Sequence, residues 1–402
     1  MGQQLLSKMK NWQELEKKLF MQTIKRLPVT LVRGQGARVW DTEGKEYLDF
    51  VGGWAVNSLG HCHPVIVKAL IVQAQTLIQA SNQFYTIPQI QLAELLVSNS
   101  CLDRVFFCNS GAEANEGAIK LARRYGKLHL NGAYEIITTR ESFHGRTLAM
   151  LAATGQDKFQ EPYIPLPDGF INVNYNDVEA MKAATTSKTC AVMVEPIQGE
   201  GGVNVPDENY LKEIRVWCDK KGILFVVDEV QTGIGRIGTL FAYEQFGIEP
   251  DIMTLAKGLG SGVPIGAFLA KERVSVFAIG EHGSTFGGNP LVCAASLAVL
   301  KFIIDNNIPR KVKQVGQYFM DGLGKLKAKF DFITEVRGRG LLLALSFTSD
   351  VAEKVVLACL EKGLLVNQVK SNALRFIPPL IITEKDVDEA LGILEEVFAR
   401  RL

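Results

Sequence analysis

The sequence lacks the features of a membrane protein or a nucleic-acid-binding protein. No apolar run approaches the roughly 18 residues that a membrane-spanning helix needs. Charge of one sign is not in excess, since 44 Lys and Arg residues oppose 43 Asp and Glu residues and leave a net charge of +1. The overall field therefore favours neither nucleic acid nor an anionic membrane. The N-terminus is polar and amphipathic rather than a signal peptide, and we expect a cytoplasmic protein.

Paired cysteines are also missing. The 7 cysteines are scattered, and no two are separated by only two residues, so we expect free thiols in a reducing compartment. His61, Cys62 and His63 are adjacent residues of metal-binding type, but no second ligand cluster follows at the spacing typical of zinc. A turn before Pro64 explains them more simply, and we predict no metal site.

What is present is the composition of a globular protein that is too long for one core. Of the 402 residues, 47% are hydrophobic and 22% are charged. A chain of this length usually divides into more than one domain. We predict a large domain over residues 56–295 and a smaller α+β domain over residues 296–402, with residues 1–55 packed on the smaller one.

Short apolar runs alternate with helical patterns through the middle of the chain. Such alternation predicts an α/β fold in which a mainly parallel sheet is covered by helices. The apolar runs occupy residues 104–109, 135–139, 190–194, 223–227 and 252–256.

The ends of the chain have different patterns. We expect a hairpin around Glu43 and Gly44, because a turn sequence separates two short strand-like runs. Periodic apolar residues predict one long amphipathic helix over about 291–329. A final helix begins near Thr383, which forms a plausible capping pair with Asp386.

Small and polar residues follow the predicted strands at the ends where ligands gather in such sheets. Ser110, Gly111 and Ala112 open a helix after the first run, and a helix start with bare N–H groups can hold a phosphate. Phe143 follows the second run and can lie flat on a planar ligand. The guanidinium of Arg146 can donate two parallel hydrogen bonds to a carboxylate.

An acid and a lysine end the two last runs. Asp228 follows the fourth run, with Gln231 three residues on, and Lys257 follows the fifth. A lysine at the end of an apolar strand must find a partner, stay solvated or lose its proton. Pyridoxal 5'-phosphate (PLP) needs a phosphate cradle, an aromatic plate, an acid at its ring nitrogen and a lysine for a Schiff base. These residues together predict PLP as the cofactor.

The glycines after Asp228 leave a second interpretation open. Gly233, Gly235 and Gly238 match G-x-G-x-x-G, which in a dehydrogenase holds a nicotinamide dinucleotide. In that fold the first glycine turns the chain directly out of the strand, whereas here five residues intervene and two of them are carboxylates. Asp228 is better explained as the partner of a pyridine nitrogen. A dehydrogenase would bind nicotinamide and lack a yellow chromophore.

The motifs resemble those of one family, the class III (fold-type I) PLP-dependent aminotransferases, and within it the enzymes acting on acetylornithine and ornithine. The resemblance covers nearly the whole chain. It rests on the segments GGWAVNSLGHCHP, NSGAEANEGAIKLAR, SFHGRT, VEPIQGEGG, DEVQTGIGRIG, LAKGLGSGVPIGA, GEHGSTFGGNPL and LRFIPPL.

The resemblance implies roles for the residues expected at the cofactor. Lys257 would form the Schiff base, and Asp228 would pair with the ring nitrogen. The other implied cofactor contacts are Phe143 on the ring, Gln231 on the ring hydroxyl, Ser110, Gly111 and Ala112 around the phosphate, and Thr285 from the other subunit of a homodimer.

The resemblance also implies a substrate site. Arg146 would hold the α-carboxylate of the donor and Arg375 the α-carboxylate of 2-oxoglutarate. Glu200 would pair with Arg375 while the donor is bound and release it for the keto acid, which avoids an unpaired buried charge. Trp54 stands where related enzymes carry a smaller or different side chain, and it either lines the pocket with Ser284 or packs at a domain seam.

The implied reaction transfers the δ-amino group of N2-acetylornithine to 2-oxoglutarate. Ornithine, succinylornithine, N-succinyl-diaminopimelate, acetyl-lysine and 4-aminobutyrate remain alternative donors. An aminomutase would convert its substrate without a keto acid, and the Glu200–Arg375 pair argues against it. A cofactor-binding regulator would need a lost lysine or an added DNA-binding segment, and neither is seen.

Overall fold

The computed structural model describes residues 11–400. The predicted amphipathic N-terminus begins in residues 1–10, which lie outside this range. The strands are β1 Leu31–Gln35, β2 Arg38–Asp41, β3 Glu46–Asp49, β4 Arg104–Cys108, β5 Glu135–Thr139, β6 Phe170–Val173, β7 Thr189–Val194, β8 Leu224–Asp228, β9 Ile252–Leu255, β10 Gly266–Ala270, β11 Ile333–Arg339, β12 Leu342–Phe347, β13 Leu364–Leu365, β14 Asn367–Lys370 and β15 Ala373–Phe376.

Helices connect most of these strands. The α-helices are α1 Trp12–Leu19, α2 Gly52–Ala55, α3 Pro64–Ala74, α4 Ile87–Ser98, α5 Gly111–His129, α6 Leu148–Ala153, α7 Asp157–Gln160, α8 Val178–Ala184, α9 Tyr210–Lys221, α10 Tyr243–Phe246, α11 Pro290–Asp305, α12 Ile308–Lys329, α13 Ala352–Glu361 and α14 Glu384–Ala399. Short 3₁₀ turns cover Glu161–Tyr163, Lys257–Leu259 and Glu272–Val274.

A seven-stranded sheet forms the centre of the molecule and confirms the predicted α/β fold. Its strand order is β4-β10-β9-β8-β7-β5-β6. The pairs from β6 through β9 are parallel, whereas β10 is antiparallel to both β9 and β4. Every residue of β7 and β8 is buried, as expected for strands with helices on both faces.

The predicted long helix over 291–329 is wrong, because the chain forms two helices there. Helix α11 ends at Asp305, α12 begins at Ile308, and their axes are bent by 68°. Asn307 between them has φ 47°, in the left-handed region that breaks an α-helix, and Pro309 lies in the first turn of α12.

Two four-stranded sheets flank the central one. The first has the order β1-β2-β3-β13, and its antiparallel pair β2–β3 confirms the hairpin at Glu43 and Gly44. Strand β13 pairs in parallel with β3, so the N-terminal segment packs on the C-terminal one. The second sheet has the antiparallel order β11-β12-β15-β14. The domain limits at 55 and 295 stay a prediction.

Helix α14 begins as predicted. Thr383 Oγ1 accepts a hydrogen bond from the Asp386 N–H, and the Asp386 carboxylate accepts one from the Thr383 N–H, which forms a complete capping box.

No single helix within residues 11–400 is long and apolar enough to cross a bilayer. The bent pair α11–α12 reaches that length and apolarity only when its two helices are taken together.

Candidate active site

A cavity of about 490 Å³ opens at the carboxyl ends of five central strands, β4, β5, β7, β8 and β9. The strands end there because each is followed by a turn that carries small or polar residues. The lining includes predicted site residues from every one of these turns, namely Ser110, Gly111, Ala112, Phe143, Arg146, Glu200, Asp228, Gln231 and Lys257.

One end of the cavity is the first turn of α5, a helix of 19 residues. Ser110 is its N-cap, and its Oγ accepts a hydrogen bond of 3.2 Å from the Glu113 N–H. The first N–H groups of a helix lack partners within the helix, and the helix dipole adds positive potential at this end. Space there is restricted, because a Cβ on Gly111 would lie 2.7 Å from Val230 Cγ1.

Asp228 is the last residue of β8, and its side chain accepts three hydrogen bonds. The donors are Asn115 Nδ2 at 2.8 Å, His144 Nδ1 at 2.7 Å and the Val230 N–H at 2.9 Å. Burial lowers the pKa of His144, but the hydrogen bond and charge of Asp228 together with the charge of Glu195 outweigh burial, so this pKa is raised overall. Neither Asn115 nor His144 was among the predicted site residues.

Lys257 follows β9 and begins a 3₁₀ turn with φ 40°, an uncommon conformation for a residue with a side chain. Burial lowers the pKa of its amine, and the negative charge of Glu200 only partly opposes this. A lowered pKa increases the fraction of neutral amine, the form that acts as nucleophile and base.

Glu195 connects two turns at the edge of the cavity. Its Oε1 accepts a hydrogen bond of 2.9 Å from the Phe143 N–H, and its Oε2 accepts one of 3.1 Å from the Gly199 N–H. Burial raises the pKa of Glu195 to about 7, although the charge of His144 opposes the shift. Glu195 thus positions Phe143, a role that strand-end position alone did not indicate.

Arg375 on β15 contacts the cavity residues from the small antiparallel sheet. Its side chain is only 1% exposed, and Nη1 donates to Glu200 Oε1 at 2.8 Å and to Gln231 Oε1 at 3.1 Å. Asn367 Oδ1 accepts from Nε at 3.0 Å and from Nη2 at 2.7 Å. Burial raises the pKa of Glu200, but Arg375, Lys257 and Gln231 together lower it more, and the net shift is downward.

Arg146 lies at the outer part of the cavity, where it is exposed. Its guanidinium lies 3.8 Å from the ring centre of Phe159 and 5.3 Å from that of Phe143. These distances are within the range of cation–π contacts, which orient a guanidinium without neutralising it. Phe159 was not predicted, since an isolated aromatic residue in a helical stretch carries no such signal.

Besides Arg375, three other predicted residues do not line this cavity in the single chain. Trp54 has φ 62° and is 48% exposed, and it lines a second cavity of about 770 Å³ together with residues of the N-terminal segment. Ser284 lies beside the cavity, where its Oγ accepts a hydrogen bond of 3.3 Å from Asn109 Nδ2. Thr285 is exposed, and its carbonyl accepts a hydrogen bond of 2.6 Å from Gln79 Nε2.

The chemistry of these residues fits PLP. The α5 N-terminus suits a phosphate, and a buried carboxylate and a lysine with a lowered pKa face the same cavity. The buried His144 Nε2 and Asn115 Oδ1 have no hydrogen-bond partner within residues 11–400. The backbone at Gly145 also passes close to Ala112 in the phosphate-binding turn, because a Cβ on Gly145 would lie 2.8 Å from Ala112 Cβ.

Comparison with known proteins agrees with this fold and site. The family described as Aminotransferase class-III matches residues 20–398. The chain belongs to the class III aminotransferases and is therefore a transferase of amino groups. Among relatives, the acetylornithine aminotransferase of Caldanaerobacter subterraneus subsp. tengcongensis is 53% identical over 385 residues, which make up 96% of this chain and 98% of that protein.

Solved structures of related enzymes have the same fold. An ornithine aminotransferase from Toxoplasma gondii superposes with a TM-score of 0.93 at 36% identity, covering 97% of this chain and 94% of that one. An acetylornithine aminotransferase from Elizabethkingia anophelis superposes with a TM-score of 0.87 at 38% identity, covering 97% and 98%. With the family known, the G-x-G-x-x-G match after β8 needs no dinucleotide to explain it.

Proposed function

We propose that the protein transfers the δ-amino group of N2-acetylornithine to 2-oxoglutarate, giving N-acetylglutamate 5-semialdehyde and glutamate. The observation that carries this proposal is the placement of two arginines at one cavity, since Arg146 lines it and Arg375 contacts the lining residues Glu200 and Gln231. Arg146 is free to meet the carboxylate of a donor, whereas Arg375 is covered by Glu200 at 2.8 Å. The names of the related enzymes support acetylornithine as the donor.

PLP is the proposed cofactor, and family membership supports it. When bound, PLP withdraws electrons from the carbon that carries the amino group. Lys257 would hold the cofactor covalently, Asp228 would receive the N–H of its ring, and Phe143 would stack on its face. Gln231 would contact the ring hydroxyl, and the Ser110–Ala112 turn would bind the phosphate.

Lys257 Nζ is the proposed base. Released from the cofactor by the incoming donor, its neutral amine would take the proton from Cδ of acetylornithine. The lowered pKa of Lys257 favours the neutral form that this step needs. The same amine would then carry the proton to the cofactor, so one residue serves as base and as acid.

Substrate exchange requires one cavity to accept two different molecules. During the donor half-reaction, Arg146 would bind the α-carboxylate and Glu200 would keep Arg375 paired, because an unpaired buried guanidinium is costly. In the second half-reaction, 2-oxoglutarate would take the place of the Glu200 carboxylate on Arg375. A ping-pong sequence follows, since both substrates use the same space.

A homodimer with shared active sites belongs to the proposal. Asn82 Nδ2 donates to the Ser284 carbonyl at 2.8 Å and so ties the segment before α4 to the turn that contains Thr285. Large apolar side chains on these two segments are exposed in the single chain, which favours a partner surface here. The side chains and their exposures are Phe84 66%, Tyr85 95%, Ile87 71% and Phe286 63%.

The partner would bring Thr285 to the cofactor phosphate of the first subunit and complete the substrate pocket near Trp54 and Ser284. Ornithine is the second candidate donor, because the Toxoplasma gondii structure of an ornithine aminotransferase superposes with a TM-score of 0.93. Ornithine would present a second cationic group where acetylornithine carries a neutral amide.

A panel of donors tests the choice directly. Each donor is mixed with the PLP-loaded protein without keto acid, and the loss of the yellow absorbance is followed as a single half-reaction. Acetylornithine is expected to react fastest among acetylornithine, ornithine, succinylornithine, N-succinyl-diaminopimelate, acetyl-lysine and 4-aminobutyrate. A higher kcat/KM for another donor would show that this donor, and not acetylornithine, is the substrate. Repeated turnover without any keto acid would indicate an aminomutase.

A further inference from the structure

The small antiparallel sheet carries two arginines in one row. Arg337 on β11 is opposite Ala344 on β12, and Ala344 is opposite Arg375 on β15. Asn367 on β14 is opposite Arg375 and continues the row. Directly opposed residues of neighbouring strands lie on the same face of a sheet. Both arginines therefore leave the same face, with the small Ala344 between them.

The two arginines contact one segment, Gly199–Val203, which we call the glycine loop. Gln198 and Asn204 close its base with two backbone hydrogen bonds of 3.1 and 3.0 Å. The buried Gln198 side chain donates to Thr139 Oγ1 at 3.1 Å and to the Arg140 carbonyl at 2.7 Å. The base of the loop is thus fixed to the central sheet, while Glu200 lies within the loop.

Arg337 holds the far side of the glycine loop. Its Nε donates to the Gly202 carbonyl at 2.9 Å and to the Val203 carbonyl at 3.2 Å, and its Nη2 donates to the Gly202 carbonyl at 2.5 Å. Arg337 Nη1 donates to Ser346 Oγ at 2.6 Å and to Glu335 Oε2 at 2.7 Å. The Arg337 side chain is only 17% exposed, so little water competes for these bonds.

The backbone that Arg337 holds is not a relaxed one. Val203 has φ 57°, and Gly202 has φ 122°. A β-branched residue in the left-handed region is strained and persists only where its surroundings fix it. The three hydrogen bonds from Arg337 help to fix this strained backbone from the side of the small sheet.

We propose that Arg337 is a positioning residue that keeps Glu200 on Arg375 by holding the glycine loop. The inference rests on the proposed function, in which Glu200 covers Arg375 until the keto acid arrives. Without Arg337, the carbonyls of Gly202 and Val203 lose these three hydrogen bonds. The loop then moves more freely, and Glu200 spends less time on Arg375.

A more often uncovered Arg375 has a specific consequence. A dicarboxylate can then bind the resting, PLP-loaded protein, where it blocks the donor. Loss of Arg337 therefore strengthens inhibition of the donor half-reaction by 2-oxoglutarate and leaves kcat of the keto-acid half-reaction in place. A general loss of folding would instead lower both half-reactions.

Binding of glutarate, an unreactive dicarboxylate, measures the uncovered state without turnover. Isothermal titration calorimetry of the PLP-loaded protein compares wild type, Arg337→Met and the matched control Arg339→Met. Arg339 is on the same strand, and its guanidinium lies 4.7 Å from the Phe246 ring instead of on the glycine loop. We expect Arg337→Met to bind glutarate about three- to tenfold more tightly, which corresponds to the net contribution of about one ordinary hydrogen bond reaching Glu200 through the loop. Arg339→Met should bind like wild type.

A Glu200→Ala background separates the loop from other effects. Arg337→Met should not change glutarate affinity there, because no carboxylate remains for the loop to position. Equal glutarate affinity of Arg337→Met and wild type overturns the inference. The inference also fails if Arg337→Met tightens glutarate binding as much in the Glu200→Ala background as in wild type. If Arg337→Met does not fold, Arg337→Lys keeps the charge with fewer donors and should bind glutarate with intermediate affinity, and wild-type affinity in this variant overturns the inference as well. The wild-type donor half-reaction tests the proposed function separately, since its absence refutes that function whatever the glutarate comparison shows.

Discussion

Replacing Arg375 with alanine should separate the two half-reactions. The guanidinium is buried, and Asn367 already holds Nε and Nη2, so Nη1 is the group that passes from Glu200 to the substrate. The transferred contact amounts to one or two hydrogen bonds between charged groups. We expect a loss of about 3 kcal/mol, or roughly a hundredfold in kcat/KM for 2-oxoglutarate, because each such bond contributes about 1.5–3 kcal/mol.

The donor half-reaction should change much less. Glu200 loses its cation in this variant, but Arg146 and Lys257 remain in place. We expect kcat/KM for acetylornithine to fall by less than about tenfold. The variant mainly weakens binding of the donor, and it does so equally in the ground state and the transition state.

Stopped-flow measurement of each half-reaction in isolation provides the test. The PLP form is mixed with acetylornithine, and the pyridoxamine phosphate form is mixed with 2-oxoglutarate. Arg375→Lys is the control, because it keeps the charge but not the planar fork, and its keto-acid half-reaction should be intermediate. Equal losses of kcat/KM in both half-reactions of Arg375→Ala would refute the assignment of Arg375 to the keto acid.

Two further predictions concern residues that support the site. Phe159→Leu should raise KM for acetylornithine about two- to fivefold and leave the keto-acid half-reaction unchanged, because the ring orients an exposed Arg146 through a contact of modest energy; an unchanged KM for acetylornithine contradicts this. The pKa of His144 is raised in the folded protein. The His144–Asp228 pair therefore stabilises the folded state fully at a pH below 6.5, the ordinary pKa of histidine, and this stabilisation is lost as the pH rises through the raised pKa. The thermal midpoint of wild type should therefore fall relative to that of His144→Gln as the pH increases above 6.5, and a difference that does not change with pH contradicts the pairing.

The sequence predicted the central sheet well because buried parallel strands leave a strong local pattern. Continuous apolar runs ended within one residue of the ends of β4, β5, β7, β8 and β9, and residues that follow these strands line one cavity. Strands β6 and β10 were not predicted. Strand β10, with the sequence GAFLA, begins at Gly266 shortly after the glycine-rich stretch 258–262, and that stretch obscured its apolar residues.

Features that depend on distant contacts were beyond local pattern. His144 and Asn115 are 84 and 113 positions from Asp228, and only the fold brings them to its carboxylate. The row from Arg337 to Arg375 depends on the register of three strands. The break between α11 and α12 did have a local signal, because Asn307 and Pro309 interrupt the pattern, but the apolar periodicity on either side concealed it.

The covalent attachment of PLP to Lys257 is the central claim, and reduction with borohydride tests it most directly. The PLP-loaded protein is reduced and digested, and the peptides are examined by mass spectrometry. A phosphopyridoxyl group is expected on Lys257 in wild type, and Lys257→Ala should lose the yellow absorbance while still binding PLP. A phosphopyridoxyl group on a different lysine, or a yellow absorbance retained by Lys257→Ala, would contradict the account.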